Sequence, residues 1–177
     1  MEAERINREV LVVRRRVLGE EHPETLVSAN TLAGSLECQG KHAEAERIIR
    51  EMLGVSRRVL GEEHPETLVS VSNLALSLRN QGKHAESERI EREVLGARRR
   101  VLGEEHPETL TSVRNLSASL WGQGKHAEAE KMLHAAHQAQ QRVLGNAHPD
   151  TLATVETLEV MRSEMRATQP TKKGAKA

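Results

Sequence analysis

The stretch VLGEEHPETLVSVSNLALSLRNQGKHAESER, residues 59–89, decides the fold because near-copies of it lie on both sides. The string VLG begins at residues 17, 59, 101 and 143, so the period is 42 residues. A His-Pro pair follows in the same register four times, and QGKHAE three times. Self-similarity at a fixed period is typical of stacked arrays, since one unit cannot bury its own apolar face. The sequence therefore predicts a repeat solenoid.

Each unit has the pattern of two helices, called here helix A and helix B. In the first unit, Pro23 can begin helix A, because its missing N–H would have no partner in the first turn anyway. Apolar residues then recur at helical spacing until Gly40, a typical left-handed cap. Helix B begins at about His42, and Gly61 stops it. No segment shows the alternation of a strand, so we expect an all-α chain of about eight helices.

The composition excludes several classes of protein. The 26 Lys+Arg balance the 26 Asp+Glu, which argues against a generic nucleic-acid binder. Cys38 is the only cysteine, so neither a disulfide framework nor a cysteine-type zinc site is expected. A membrane span needs about 18 or more consecutive apolar residues, and the N-terminal MEAERINREV has no signal-peptide core. We expect a soluble cytoplasmic protein that needs no cofactor.

The repeat resembles the tetratricopeptide repeat, in the 42-residue form found in kinesin light chains and related adaptors. The resemblance rests on LGEEHPETL, on the Leu-Ala or Leu-Ser pairs at residues 32, 74 and 116, and on the QGKHAEAE turn. It covers roughly residues 1–165. It implies a right-handed superhelix of antiparallel helix hairpins, in which the helix A face lines a concave groove that holds peptides. It also implies a non-catalytic adaptor or scaffold.

The repeat register divides the chain into six segments. They are a lone helix B of an incomplete repeat (1–18), repeat 1 (19–61), repeat 2 (62–103), repeat 3 (104–145), a terminal capping helix (146–167) and a disordered basic tail (168–177).

Two departures from the family pattern predict modest stability. Leucine stands at the end of each helix A, and histidine at the start of each helix B, where the family usually has aromatic residues; an aromatic side chain buries about 150–250 Å². Glu91 also falls in the register position where Ile49 and Leu133 are apolar, which should weaken the middle repeat.

The differences between the repeats concentrate on helix A. Residues 17–47 and 59–89 differ at seven of 31 positions, and six of the seven lie on helix A. Residues 59–89 and 101–131 differ at eight positions, again with six on helix A. Most of these positions share one face of helix A. In the tetratricopeptide repeat proteins that the chain resembles, this face lines the groove. The alternative is relaxed constraint on exposed positions, but the equally exposed GEEHPE and QGKH turns are identical in three copies.

This face gives the candidate peptide-binding residues. Arg79, Arg114 and Trp121 are types enriched at binding hot spots, and they indicate a peptide with an acidic and an apolar anchor. Asn73 and Asn115 take a place where the family uses asparagine to hold the ligand backbone. The alternative for Trp121 is that it covers the neighbouring hairpin as a packing residue. The full set is Asn30, Glu37, Ser72, Asn73, Leu76, Arg79, Asn80, Thr111, Arg114, Asn115, Ala118, Trp121 and Glu156.

Other chemistry finds little support. No phosphate loop, nucleophile elbow or metal-protease motif is present. Equivalent histidines lie one repeat apart, too far to share a metal ion. We expect those that precede proline to cap or pack the turn. The arginine runs at 14–16, 57–58 and 98–100 suggest RNA binding, yet glutamates follow each run and can pair with it.

Self-assembly is the other alternative. Helix B of residues 1–18 has no helix A before it, so an apolar face that includes Ile6, Val10 and Val13 lacks its usual partner. The chain then either associates through this face or is a fragment of a longer array.

Overall fold

A computed structural model of the chain describes residues 2–168 and contains eight α-helices and no strand within them, which confirms the predicted class. The last helix includes Thr168, one residue past the predicted segment boundary, and the rest of the predicted basic tail lies outside the described residues. The helices are α1 (Glu2–Leu18), α2 (Pro23–Glu37), α3 (His42–Leu60), α4 (Pro65–Asn80), α5 (His84–Leu102), α6 (Pro107–Gly122), α7 (His126–Val143) and α8 (Pro149–Thr168).

The array is curved, with the A helices on its inner side. Each helix packs on its neighbour in sequence. Successive A helices (α2, α4, α6 and α8) also contact one another, whereas no two successive B helices (α1, α3, α5 and α7) approach one another along their backbones within residues 2–168. Stacked hairpins that touch on one side and spread on the other must curve toward the closer side. The A helices therefore line the concave face, as the resemblance implies.

A histidine caps each complete helix A. His22 has extended backbone angles, and its Nδ1 accepts a hydrogen bond of 3.2 Å from the Glu24 N–H. His64, His106 and His148 make the same bond two residues on. The ring nitrogen thus satisfies one of the helix's unpaired N–H groups, which confirms the capping role suggested by the sequence.

The helices of each hairpin approach closely at a small residue. Ala45, Ser87 and Ala129 are fully buried near the start of helix B. The Ser87 hydroxyl makes hydrogen bonds of 2.8 Å with the Ala75 carbonyl and with the Ser119 hydroxyl. The serine in repeat 2 is thus satisfied, although the other repeats have alanine there.

The apolar core is interrupted in α5. One cluster runs from Leu11 in α1 to Val94 in α5, a second begins at Leu95, and a third joins Leu133 in α7 to Leu158 and Met161 in α8. Glu91, one turn before the break in α5, is 0 % exposed and occupies the position of Ile49 and Leu133. The middle repeat therefore buries a carboxyl group where the other two bury aliphatic side chains.

Candidate peptide-binding groove

The candidate residues follow the A helices along the concave face, and none is fully buried. Asn80 and Glu156 are exposed, and the others are half-buried. The concave face is thus partly exposed to solvent, and many of its side chains already have internal partners.

Several candidates join adjacent repeats. Asn30 Nδ2 donates to the Ser70 hydroxyl at 2.9 Å, which joins α2 to α4. Glu37 accepts hydrogen bonds from the Ser77 hydroxyl and, at 2.7 Å, from Asn80 Nδ2.

The position of Glu37 departs from the expectation of an open ligand contact. Its carboxylate also lies 2.7 Å from His42 Nδ1, and only 9 % of its side chain is exposed. The sequence predicted the helix face of Glu37 and Asn30 but not these partners, because they come from the next repeat or across a turn.

Two neighbouring arginines on this face lack a carboxylate partner. Within residues 2–168, neither Arg79 nor Arg114 has an acidic oxygen at ion-pair distance; the one polar contact of Arg79 is a long hydrogen bond of 3.4 Å to the Asn115 carbonyl. Burial lowers the pKa of the Arg79 guanidinium, an effect that Glu91 opposes and Arg114 reinforces. The pair therefore concentrates positive charge at the centre of the groove.

Glu91 of α5 is close enough to Arg79 to interact with it electrostatically, and it has no hydrogen-bond partner within residues 2–168. Both of its carboxyl oxygens are buried and unpaired in the part of the chain that the structure describes. Burial raises its pKa from 4.5 to about 7, although the positive charges of Arg79 and Arg98 oppose the shift. Near neutral pH, Glu91 is therefore only partly ionised, and its charge favours the protonated form of Arg79. The sequence indicated Glu91 as an acid in an apolar register position, but it did not predict this interaction with Arg79.

Trp121 is half-buried where α6, α7 and α8 meet. Its ring stacks on His126 with the centroids 4.1 Å apart and 17° between the planes. Its Nε1 donates to the Glu164 carboxylate at 2.7 Å, and its ring packs against the apolar residues of repeat 3 and of α8. The packing alternative for Trp121 is thus partly realised, and only the exposed part of the ring is available to a ligand.

Ion pairs occupy most of the arginine runs on the outer side. Arg58 pairs with Glu21 at 2.6 Å and Arg99 with Glu104 at 3.0 Å. Arg98 is almost fully buried, with a pair of 2.9 Å to Glu108. These pairs neutralise most of the proposed basic stripe, which weakens the case for RNA binding.

A cleft on the outer side, between α5 and α7, was not predicted from the sequence. It has a volume of about 490 Å³, and its apolar floor includes Leu110, Val113 and Met132. The signal was the alanine-rich sequence of α7, where Ala136 takes the place of Val94 and Met52. Charged side chains such as Arg99 and Glu128 form its rim.

Two further classes of site are not found. Residues 2–168 contain no group of three or more His, Cys, Asp or Glu side chains arranged to hold a metal ion. None of the described helices has both the length and the apolar character needed to cross a membrane.

Comparison with known families agrees with this architecture. The tetratricopeptide repeat family profile matches residues 1–55, 29–99 and 70–133. The chain therefore belongs to the tetratricopeptide repeat family, whose repeats are generally protein-interaction modules. No curated protein matches the chain.

Solved structures narrow the class to the kinesin-light-chain type of repeat. A Podosopora anserina protein, described as a candidate kinesin light chain with nearly identical TPR-like repeats, is 26 % identical; the match covers 95 % of this chain and 80 % of that one, with a TM-score of 0.75. A single-substitution variant of it gives a TM-score of 0.76 at 26 % identity, covering 95 % and 79 %. BtubC (BKLC) of P. vanneervenii shares the fold, with 20 % identity, 99 % and 78 % coverage and a TM-score of 0.72.

Proposed function

We propose that the concave face binds an extended or short helical segment of a partner protein. An acidic side chain of the segment lies between Arg79 and Arg114, and an apolar side chain lies beside Trp121. The protein then acts as a non-catalytic adaptor or scaffold in the cytoplasm. The observation that carries the proposal is the pair of adjacent, half-buried arginines without a carboxylate partner.

Binding of an acidic side chain is favourable because the two arginines are partly desolvated and have no anionic partner. A partly desolvated guanidinium without an anionic partner loses hydration and gains little in return. A ligand carboxylate can accept two parallel hydrogen bonds from one guanidinium and interact with the second, and such charge-assisted bonds are the strong ones. Asn73 and Asn115, half-buried on the same helices, offer amide groups to the ligand backbone.

The fold lowers the cost of binding. The groove is built from packed helices, and bonds such as Asn30–Ser70 and Trp121–Glu164 fix adjacent repeats. A surface that is already ordered loses less conformational freedom when a ligand binds. Specificity then comes from the groove side chains that differ between the repeats.

A displayed library of random peptides tests this function. We expect the selected peptides to be enriched in acidic residues and to bind the Arg79→Ala/Arg114→Ala variant at least tenfold more weakly. The matched control is Arg47→Ala/Arg89→Ala, two exposed arginines on the outer helices that pair within their own helix.

Trp121 provides a second readout. It is the only aromatic residue of the chain, so its fluorescence should change when a selected peptide binds. Circular dichroism establishes that each variant is folded. Selected peptides without an acidic bias, or equal losses in the groove and control variants, would refute the assignment of the groove.

A further inference from the structure

Repeat 2 combines a buried carboxyl group with a groove arginine, and neither of the other complete repeats has this combination. Glu91 of α5 is fully buried, at the register position of Ile49 and Leu133. Arg79 of α4 is half-buried on the concave face, where repeat 1 has a glutamate and repeat 3 a tryptophan. The two exchanges therefore introduce opposite charges into the same repeat.

Glu91 and Arg79 interact electrostatically without forming an ion pair. Within residues 2–168, neither carboxyl oxygen of Glu91 has a hydrogen-bond partner, and no cationic side chain lies at ion-pair distance from it. Burial raises the pKa of Glu91, and the positive charge of Arg79 opposes this rise more than any other group does. Opposite charges still attract each other at such separations in the interior, because the surroundings screen them less than water does. The ionised form of Glu91 therefore depends on the charge of Arg79.

Arg79 is also the neighbour whose charge a groove ligand can change. Helix α5 packs against α4 and α6. Of the groups that act on Glu91, Arg79 lies on α4 and Arg98 on α5 itself. Arg98 is almost fully buried and pairs with Glu108 of α6 at 2.9 Å, so a ligand on the concave face does not alter its charge. The ionisable groups that act on Glu91 or on these two arginines are Arg79, Arg98, Glu108, Arg114 of α6 and Glu37 of α2.

A ligand carboxylate at the arginine pair competes with Glu91 for the charge of Arg79. An anion between Arg79 and Arg114 neutralises their positive charge and brings another negative charge toward Glu91. Both effects disfavour the ionised form of Glu91, which has no hydrogen bond to hold it ionised. Because such coupling is reciprocal, protonation of Glu91 strengthens ligand binding by the same factor by which the ligand favours protonation.

We propose that Glu91 is a positioning residue of the groove: it provides a counter-charge for Arg79 in the free chain and takes up one proton when an acidic side chain binds between Arg79 and Arg114. This inference rests on the proposed function, since it requires an acidic ligand at the arginine pair. The pKa of Glu91 is about 7 in the free chain and rises when the ligand binds. The affinity is therefore constant well below pH 7 and falls as the pH rises through and above 7.

Carbon-13 NMR of the chain labelled at its glutamate carboxyl carbons tests the coupling without any ligand. One carboxyl signal should titrate with a midpoint near pH 7, and this signal should be absent from Glu91→Gln. In Arg79→Ala the midpoint should rise by at least about half a pH unit, because the counter-charge is lost. The matched control is Arg47→Ala, an exposed arginine that pairs within its own helix, and it should leave the midpoint unchanged. A midpoint that does not move in Arg79→Ala overturns the proposal.

Peptide affinity at pH 6 and at pH 8.5 tests the linkage to binding. The probes are histidine-free acidic peptides selected from the displayed library. The wild type should bind them at least about fivefold more tightly at pH 6 than at pH 8.5. Glu91→Gln and Glu91→Leu should show little dependence on pH and should bind more tightly than the wild type at pH 8.5. Glu93→Gln, at an exposed position of the same helix, is the matched control and should keep the wild-type dependence.

The outcomes distinguish this inference from the function on which it rests. Peptides that need Arg79 and Arg114, but show the same pH dependence with the wild type and with Glu91→Gln, overturn the inference and leave the groove assignment in place. A selection that yields no acidic peptide overturns both. Every Glu91 variant keeps all nine histidines, so their titration cannot produce a difference between the variants. Circular dichroism at both pH values establishes folding, and Glu91→Leu covers the case in which glutamine disturbs the interior.

Discussion

Replacing Glu91 with leucine should stabilise the protein, and by an amount that depends on pH. Glu91 is fully buried, and neither of its oxygens has a hydrogen-bond partner within the described residues. The equivalent position in α7 is already a leucine, Leu133, and it is also fully buried. The change removes a poorly solvated carboxyl group and adds a buried apolar side chain close to the point in α5 where two apolar clusters meet.

The size of the effect follows from the raised pKa of Glu91. The pKa is about 7 in the folded chain, against 4.5 for the ordinary group. Between these values the folded state holds more protons than the unfolded one, so the free energy of unfolding falls as the pH rises. The shift of about 2.5 units corresponds to about 3 kcal/mol in total, and most of it is lost between pH 5 and pH 8. The advantage of Glu91→Leu should therefore be larger at pH 8 than at pH 5 by about 2 kcal/mol.

Urea unfolding followed by far-ultraviolet circular dichroism at both pH values measures this difference. Glu93→Leu is the matched control: Glu93 lies on the same helix, its side chain is 57 % exposed, and it pairs with Arg89. We expect the control to change the stability by less than about 0.5 kcal/mol, as exposed substitutions usually do. A Glu91→Leu variant that is less stable than the wild type at pH 8, or that gains the same amount at both pH values, would refute the reasoning.

Three other substitutions test the packing, the electrostatics and the caps by chemical unfolding. Gly122→Ala should destabilise the protein by more than about 1 kcal/mol, because a Cβ there would lie 2.4 Å from Nδ1 of His84. Gly54→Ala is the control: a Cβ there would have no atom within 4 Å, so the change should stabilise the protein by about 0.5–1 kcal/mol. Equal effects of the two substitutions would contradict the packing. Hydrogen bonds from lysine, glutamine and arginine side chains hold the pKa of Glu88 at about 2. Glu88→Gln should therefore destabilise at pH 7, and its difference from the wild type should shrink as the pH falls from 4.5 toward 2; a difference that persists at pH 2 would count against this origin. His106→Ala should cost about 1 kcal/mol through the lost cap, while an asparagine there should restore most of it.

The fold was predictable because every repeat carries the same residues at the points where its helices begin and end. Pro23 begins helix A, which ends at Glu37; Gly40 reverses the chain in the following turn with a φ of +73°, and His42 begins helix B. The proline recurs three more times and the glycine twice more, so the same reasoning predicts the helices of the whole array. The close approach of helices at Ala45 was also predictable, because small residues recur at this position of the repeat in the sequence.

The groove was less predictable because its contacts join different repeats. The sequence places Glu37 on the helix A face, but its bonds to Ser77 and Asn80 depend on the geometry of the next hairpin. Trp121 shows the same limit, because its stacking on His126 and its bond to Glu164 depend on how three helices meet. Periodicity gives the face on which a side chain lies, whereas its partners depend on distances across the stack.

The breaks in the core have a mechanical consequence. An array held together by nearest-neighbour interfaces yields where one interface is weakest. Among the consecutive helix pairs of residues 2–168, α7 and α8 are the most sparsely packed, so a force that pulls the two ends apart should detach α8 first. The buried carboxyl group of Glu91 adds a second weak point that depends on pH, because its protonation removes the buried charge and mild acid should make α5 resist extension more strongly.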